Sequence, residues 1–205
     1  MKKILIGITG GIGSGKTVVS DILRIKGFPV YDADKESKHL IVSDDTLKSK
    51  LTQLLGDEIY FADGSLNRNL MANKIFHDKD LITQVNQIIH PAVGRDFALW
   101  AEKQDSSIVA TECALLFESG LNKITNYSIM VYAPLSIRIQ RAMQRDNATQ
   151  EQIVARIKNQ MDDEKKKDLA NFVITNDNQS AILPQINQLI SDLAHRLISR
   201  TSIWR

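Results

Sequence analysis

One cysteine, Cys113, stands in 205 residues, so no disulfide can close within the chain and a reducing compartment is its natural setting. Net charge is scarce too. The 26 basic and 24 acidic residues leave a formal +2, with the two signs mixed along the chain. No face is built for nucleic acid, although a local cationic site for phosphates stays open. Long apolar runs are missing, and nothing approaches the roughly 20 residues a membrane-spanning helix needs. The short run Ile4-Leu5-Ile6-Gly7-Ile8 passes straight into glycines and a lysine instead of a cleavage site, so it does not read as a signal peptide. The expectation is a cytoplasmic protein with no nucleic-acid or membrane partner. What is present, 43% hydrophobic and 24% charged residues, fits one globular domain over 1–205 that carries an insertion.

Residues 3–8 are aliphatic and too few for a helix, which predicts a buried parallel strand. Lys16 to Lys26 carries Val18, Val19, Ile22, Leu23 and Ile25 mostly on one helical face, with Gly27 as the stop. Phe28-Pro29-Val30-Tyr31 predicts a second strand, ending at Asp32-Ala33-Asp34. Strand, glycine loop, helix and strand make the βαβ unit of a parallel sheet. From 35 to 105 the pattern turns helical. Asp44-Asp45-Thr46 caps a helix ending near Gly56, Asp63-Gly64-Ser65 turns, and Asn67–His77 and Asp80–Ile89 are helical. Pro91 is placed as the first residue of a separate helix. This block breaks the alternation and reads as an inserted helical region. Strands follow at Ile108–Thr111, Tyr127–Tyr132 and Phe172–Thr175. Helices are predicted over Ser136–Arg145, over the polar stretch 149–168, and over 179–199. Fold class is therefore α/β, a P-loop-type parallel sheet flanked by helices.

The most informative stretch is Gly10-Gly11-Ile12-Gly13-Ser14-Gly15-Lys16-Thr17, set between the first strand and the first helix. Consecutive N–H groups surround phosphate oxygens only where side chains stay out of the way, which the glycines ensure. The helix presents its positive end, Lys16 adds a charge at the β/γ-phosphates, and the Thr17 hydroxyl can bind Mg²⁺. Gly11 to Thr17 are thus candidate ATP-binding residues. A glycine-rich turn with an accidental lysine is the bland alternative, and the full pattern in its strand-then-helix setting argues against it.

A P-loop fixes nucleotide binding, and other residues must choose the reaction. Asp32 and Asp34 follow the second strand, at the carboxyl edge where open α/β sheets bind ligands. Two carboxylates there can orient an acceptor hydroxyl, take its proton and ligate Mg²⁺; a helix cap is the bland alternative. Arg138, Arg141 and Arg145 share a helix face, with Arg156 and Gln160 a similar pair farther on. Such arginines can clamp a transferring phosphoryl group from a lid, or merely be solvated. Asp162 to Lys167 reads as a solvated helix segment, and Cys113 as a buried small hydrophobe.

Taken in order, these pieces resemble the dephospho-coenzyme A kinase family. They are Gly7 to Thr17, Asp32-Ala33-Asp34, Asp63-Gly64-Ser65-Leu66-Asn67-Arg68, His90-Pro91, Leu115-Leu116-Phe117-Glu118, Arg141 with Arg145, and Arg156 with Gln160. The resemblance implies phosphorylation of the ribose 3′-hydroxyl of dephospho-CoA by ATP, the last step of CoA synthesis, with Mg²⁺ as cofactor. It makes Asp34 the catalytic base, aided by Lys16 and by Arg141 in a lid over 138–165. Arg145 supports the lid at the nucleotide, and Asn176 sits by the adenine. Thr9, Asp32, Arg68 and His90 lie on the acceptor side, the last two in a CoA-binding insertion over 35–105. Thr17, Asp32 and Glu112 are the metal candidates. ATP and dephospho-CoA are the partners, and a monomer is the expected assembly. One departure stands out: Glu112-Cys113-Ala114 replaces the family's usual Asp-Val-Pro, which weakens the case for Glu112 as the metal-side acid. For His90, a helix-start role beside Pro91 competes with ligand contact.

Rival readings are a GTPase-like switch, another small-molecule kinase of nucleotide or shikimate type, and a non-enzymatic ATP binder. Asn122-Lys123-Ile124-Thr125 loosely matches a guanine-reading motif, but it ends in threonine and precedes a strand. The tail Thr201–Arg205 has no assigned role beyond packing of Trp204 on the last helix.

Overall fold

A computed structural model describes residues 3–75 and 78–201, so the expectations for His77 and Trp204 fall outside the described residues. The chain divides into two compact units, one formed by Met1–Val30 with Gln104–Arg205 and the other by Tyr31–Lys103.

The first unit carries a parallel sheet. Its strands are β1 (Ile4–Thr9), β3 (Ile108–Glu112), β4 (Tyr127–Tyr132) and β5 (Phe172–Thr175). With β2 (Val30–Asp32) the order is β2-β3-β1-β4-β5. β1 is therefore central, and its register sets Ile8 opposite Glu112 on one side and Ile129 on the other. A strand enclosed this way is covered on both faces: Ile4, Ile6 and Ile8 line one and are buried, and Gly7 and Thr9 are buried on the other. Helices α1 (Lys16–Ile25) and α9 (Ile182–Thr201) contribute Val19, Leu23, Ile186, Leu189 and Leu193 to the same core. Each such side chain contributes roughly 1.5–3 kcal/mol by leaving water. The remaining helices are α6 (Leu135–Asp146), α7 (Gln150–Ile157) and α8 (Asp163–Leu169).

Two sequence expectations change here. The strand placed at 28–31 is β2 at Val30–Asp32, so Asp32 ends the strand instead of following it, and Asp34 lies in the helix beyond. The polar stretch 149–168 is two helices, not one. Asp162 adopts an extended conformation and caps α8 by accepting from the Glu164 and Lys165 N–H groups, so a new helix starts there.

The second unit is helical: α2 (Ala33–Ser43), α3 (Asp45–Leu55), α4 (Arg68–Ile75) and α5 (Lys79–Glu102). α2, α3 and α5 each begin behind an aspartate. Asp32, Asp44 and Asp78 accept from the N–H groups of Lys35, Leu47 and Leu81 at 2.9, 3.0 and 2.9 Å. The core here is Ile41, Leu47, Leu51, Leu55, Ile59, Met71, Val85 and Ala92. Pro91 does not start a helix; it lies inside α5, which runs 24 residues. Proline in a helix interior costs ~3 kcal/mol or more through the lost hydrogen bond and a ring clash. Val85, Ala92, Val93, Phe97 and Ala101 are all buried along α5, and that continuous burial on both sides of the proline outweighs the break. His90 is accordingly a mid-helix residue, which removes its helix-start role.

Candidate active site

The loop between β1 and α1 is built for an anion. Gly15 caps α1 with no side-chain hydrogen bond, unlike the aspartate-capped α2, α3 and α5, so the positive end of α1 is left open. Gly13 (φ 79°) and Gly15 (φ 92°) are left-handed, and neither could carry a side chain. A Cβ at Gly13 would lie 2.1 Å from the Arg138 carbonyl oxygen, and one at Gly15 2.2 Å from the Asn176 Nδ2. The Lys16 Nζ donates to the Gly10 carbonyl at 2.9 Å.

At the start of α1 the Thr17 hydroxyl donates to the Glu112 Oε1 at 2.9 Å. A hydroxyl and a carboxylate side by side are hard oxygen donors, the set Mg²⁺ takes, so these two residues fit that ion. Glutamate in place of the family's usual aspartate therefore still reaches the Thr17 hydroxyl. Its neighbour Cys113 is buried, as expected of a small hydrophobe. Thr9 is fully buried, its hydroxyl donating to the Ala114 carbonyl at 3.4 Å, so it offers no surface to an acceptor.

The arginines do not act as one face. Arg138 is only 4% exposed. Its Nε donates to the Ile12 carbonyl at 3.0 Å, and its guanidinium forms an ion pair with Asp163. Arg138 therefore braces the loop from within the protein instead of facing solvent or phosphate. Arg141 reaches the Asn176 carbonyl at 3.1 Å and the Asn176 Oδ1 at 3.3 Å, while the Asn176 Nδ2 donates to the Ser14 carbonyl at 2.8 Å. Asn176 thus binds the loop itself. Arg145 is exposed and pairs with Asp146, as does Arg156; the Arg145 hydrogen bond holds the Asp146 carboxyl below its ordinary range. Arg156 and Gln160 are not a helical pair, because α7 ends before Gln160, whose Oε1 accepts from the Ile12 N–H at 3.1 Å.

The segment 162–167 is not simply solvated. Asp163 is buried, and burial pushes its carboxyl up while Arg138 and Lys166 pull it down. Lys166 has no exposed surface. Its ammonium donates to the Ala114 carbonyl at 2.8 Å and pairs with the Glu118 Oε1 at 2.9 Å, which also accepts from the Met161 N–H at 2.8 Å. A buried lysine is tolerated only when paired and hydrogen-bonded in this way. Sequence reasoning missed Asp163, Lys166 and Ile12's partners. Their contacts span 25 to 148 residues, and no local spacing signals them.

In the helical unit Asp32 keeps the capping role weighed for it, Asp34 occupies the first turn of α2, and Arg68 opens α4. The Tyr31 hydroxyl donates to the Asp96 Oδ2 at 2.6 Å. Burial first, and Asp96 second, push that phenol well above its ordinary range, so it stays protonated. Its ring packs 5.4 Å from both Phe97 and Trp100, a cluster that no motif announced.

With this geometry in place, comparison with known proteins is decisive. The pattern of the dephospho-CoA kinase family matches residues 4–181. The chain belongs to the dephospho-CoA kinase family. Within the family, the dephospho-CoA kinase of Bacteroides fragilis is 46% identical over 195 residues, covering 95% of each chain. A solved structure from Thermus thermophilus is 30% identical with a TM-score of 0.80, covering 96% of this chain and 99% of its own. A shikimate kinase from Acinetobacter baumannii, solved with shikimate, has a TM-score of 0.55 at 16% identity, covering 95% and 94%. That likeness to a kinase of another kind is one of fold alone.

Proposed function

We propose that the protein transfers the γ-phosphoryl group of ATP to the ribose 3′-hydroxyl of dephospho-CoA, giving CoA and ADP. The observation that carries this reading is the family match over residues 4–181, which takes in Asp32, Asp34, Arg68 and His90 as well as the phosphate loop. A P-loop alone would leave the acceptor open.

The acceptor oxygen forms a bond to the γ-phosphorus while the bond to ADP breaks, and Asp34 takes the hydroxyl proton. Lys16 and the N–H groups of the loop stabilise charge on the phosphates, and Arg141 with Arg145 adds to it. Thr17 and Glu112, with Asp32, would hold Mg²⁺, which when bound neutralises charge on the β- and γ-phosphates. Asn176 borders the nucleotide, and Arg68 and His90 bind the CoA moiety in the insertion over 35–105.

The lid over 138–165 has its two ends joined by the Arg138–Asp163 pair, so its motion belongs to the stretch between them. Hydrogen exchange with and without a non-hydrolysable ATP analogue should gain protection between those ends; protection changes confined to residues outside 138–165 would remove the lid.

ADP release measured with ATP and dephospho-CoA, against adenosine and pantetheine as acceptors, tests the main reading. Turnover with dephospho-CoA should dominate. Equal turnover with adenosine would place the protein among nucleoside-directed kinases, and GTP preferred over ATP would revive the switch. The same reading makes the protein a cytoplasmic monomer acting on ATP and dephospho-CoA, with no nucleic-acid or membrane partner. Light scattering at assay concentrations checks the monomer.

A further inference from the structure

The loop carbonyls of Gly10, Ile12 and Ser14 alternate along the chain, and each is held by a side chain from outside the glycine run. Lys16 holds the first, Arg138 the second and Asn176 the third, at 2.9, 3.0 and 2.8 Å. The chain has no cis peptide bond among its described residues. In a trans peptide the carbonyl and the following N–H point in opposite directions from one plane. Pulling the Ile12 carbonyl toward α6 therefore turns the Gly13 N–H away from α6, and pulling the Ser14 carbonyl toward Asn176 does the same for the Gly15 N–H. Among the described residues neither N–H has a protein acceptor. Ile12 is held twice, because its own N–H donates to Gln160 at 3.1 Å.

We infer that Arg138, locked by its ion pair with Asp163, is a positioning residue that aims the Gly13 N–H of the phosphate loop at the nucleotide's phosphates. The arrangement suits arginine in particular. Its Nε takes the carbonyl while a terminal nitrogen takes the carboxylate, so one rigid plane serves both bonds. The site around it is closed. A Cβ on Gly11 would lie 2.1 Å from the Arg138 Nη2, and one on Gly13 2.1 Å from the Arg138 carbonyl oxygen, so loop and arginine are in direct contact. Lysine has its three donors on one nitrogen, so it lacks the spread of a guanidinium plane that spans a carbonyl at one edge and a carboxylate at another.

This inference rests on nucleotide binding by the loop, not on the identity of the acceptor, so its readout is ADP affinity measured by titration calorimetry. Arg138→Leu should weaken ADP binding about 10- to 100-fold, the range expected when a hydrogen bond to a charged group is lost. The KM for dephospho-CoA should stay within about twofold, since no acceptor contact is touched. Leaving Asp163 buried without its partner also threatens the fold, so the deciding variant is the double change Arg138→Leu with Asp163→Leu. Replacing a buried ion pair by apolar groups commonly restores stability. The double variant should therefore regain the wild-type melting temperature and still bind ADP weakly. Arg138→Lys, which keeps the charge but not the fork, should fall between wild type and Arg138→Leu. A double variant with wild-type melting and wild-type ADP affinity would overturn the inference, because the pair would then serve stability alone. Wild-type affinity in Arg138→Leu would overturn it as well. A wild-type protein that binds ADP but leaves dephospho-CoA unphosphorylated would instead defeat the proposed reaction and leave this inference standing.

Discussion

The two units bury different chemistry. All the buried polar and charged side chains among the described residues, from Thr9 and Ser14 to Glu112, Arg138, Asp163 and Lys166, lie in the sheet unit. The helical unit buries apolar groups, with Tyr31 its polar exception at the phenol, and caps α2, α3 and α5 with the aspartates that precede them. Burying charges is expensive and is sustained only where partners are fixed in space. The sheet unit accepts that cost around the phosphate loop, where rigid placement of N–H groups serves binding. The helical unit has the construction of a packed bundle, with its polar residues at helix ends and on its surface. The sheet unit thus combines an apolar core with buried polar groups around the loop, and the helical unit has the apolar core alone.

The largest effect that would sharpen this division comes from Asp34, an exposed first-turn residue whose removal disturbs no core. Asp34→Asn keeps size and polarity, and steady-state kinetics should show turnover lower by ~10²–10⁴-fold, the usual contribution of a general base. If Asp32→Asn abolishes turnover irrecoverably while Asp34→Asn does not, the two aspartates have exchanged roles. Lys16→Ala should lower turnover on the order of 10²-fold or more, as for other preorganised donors, with an unchanged circular dichroism spectrum. Normal turnover in that variant would detach the phosphate loop from the chemistry.

Leu51 and Ile129 allow a direct contrast, since both are fully buried, one in each unit. Either change to alanine should cost ~2–5 kcal/mol by denaturant titration. Ligands extend the comparison: saturating ADP should raise the melting temperature of Ile129→Ala, because binding to the folded state stabilises it by mass action. Smallest is Arg68→Ala, expected to raise the KM for dephospho-CoA a few-fold, by about 1 kcal/mol, the scale of one net hydrogen bond. The KM for ATP should hold. An effect confined to ATP would reassign Arg68 and blur the distinction between the units.

How much of this was legible beforehand varied by element. The βαβ start, the phosphate loop and a cap within Asp44-Asp45-Thr46 were readable because each depends on neighbours within a few residues, through glycine φ angles, apolar periodicity and a side chain reaching its own helix. The helix through Pro91 was misread because proline is a strong local stop, and only burial along the whole of α5 overrides it. Arg138 was misread for a related reason. A spacing of three and four marks a shared helix face, but not whether that face meets solvent or protein.

Local sequence therefore determined the phosphate loop, the order of the strands along the chain, and the residues that carry the family resemblance, since those are properties of short stretches. The tertiary structure alone decided the β2-β3-β1-β4-β5 order, the burial of Lys166 against Ala114 and Glu118, and the grip of Arg138 and Gln160 on Ile12. Those contacts join residues up to 148 positions apart, and their strength comes from the low dielectric and fixed partners that exist only once the elements have packed.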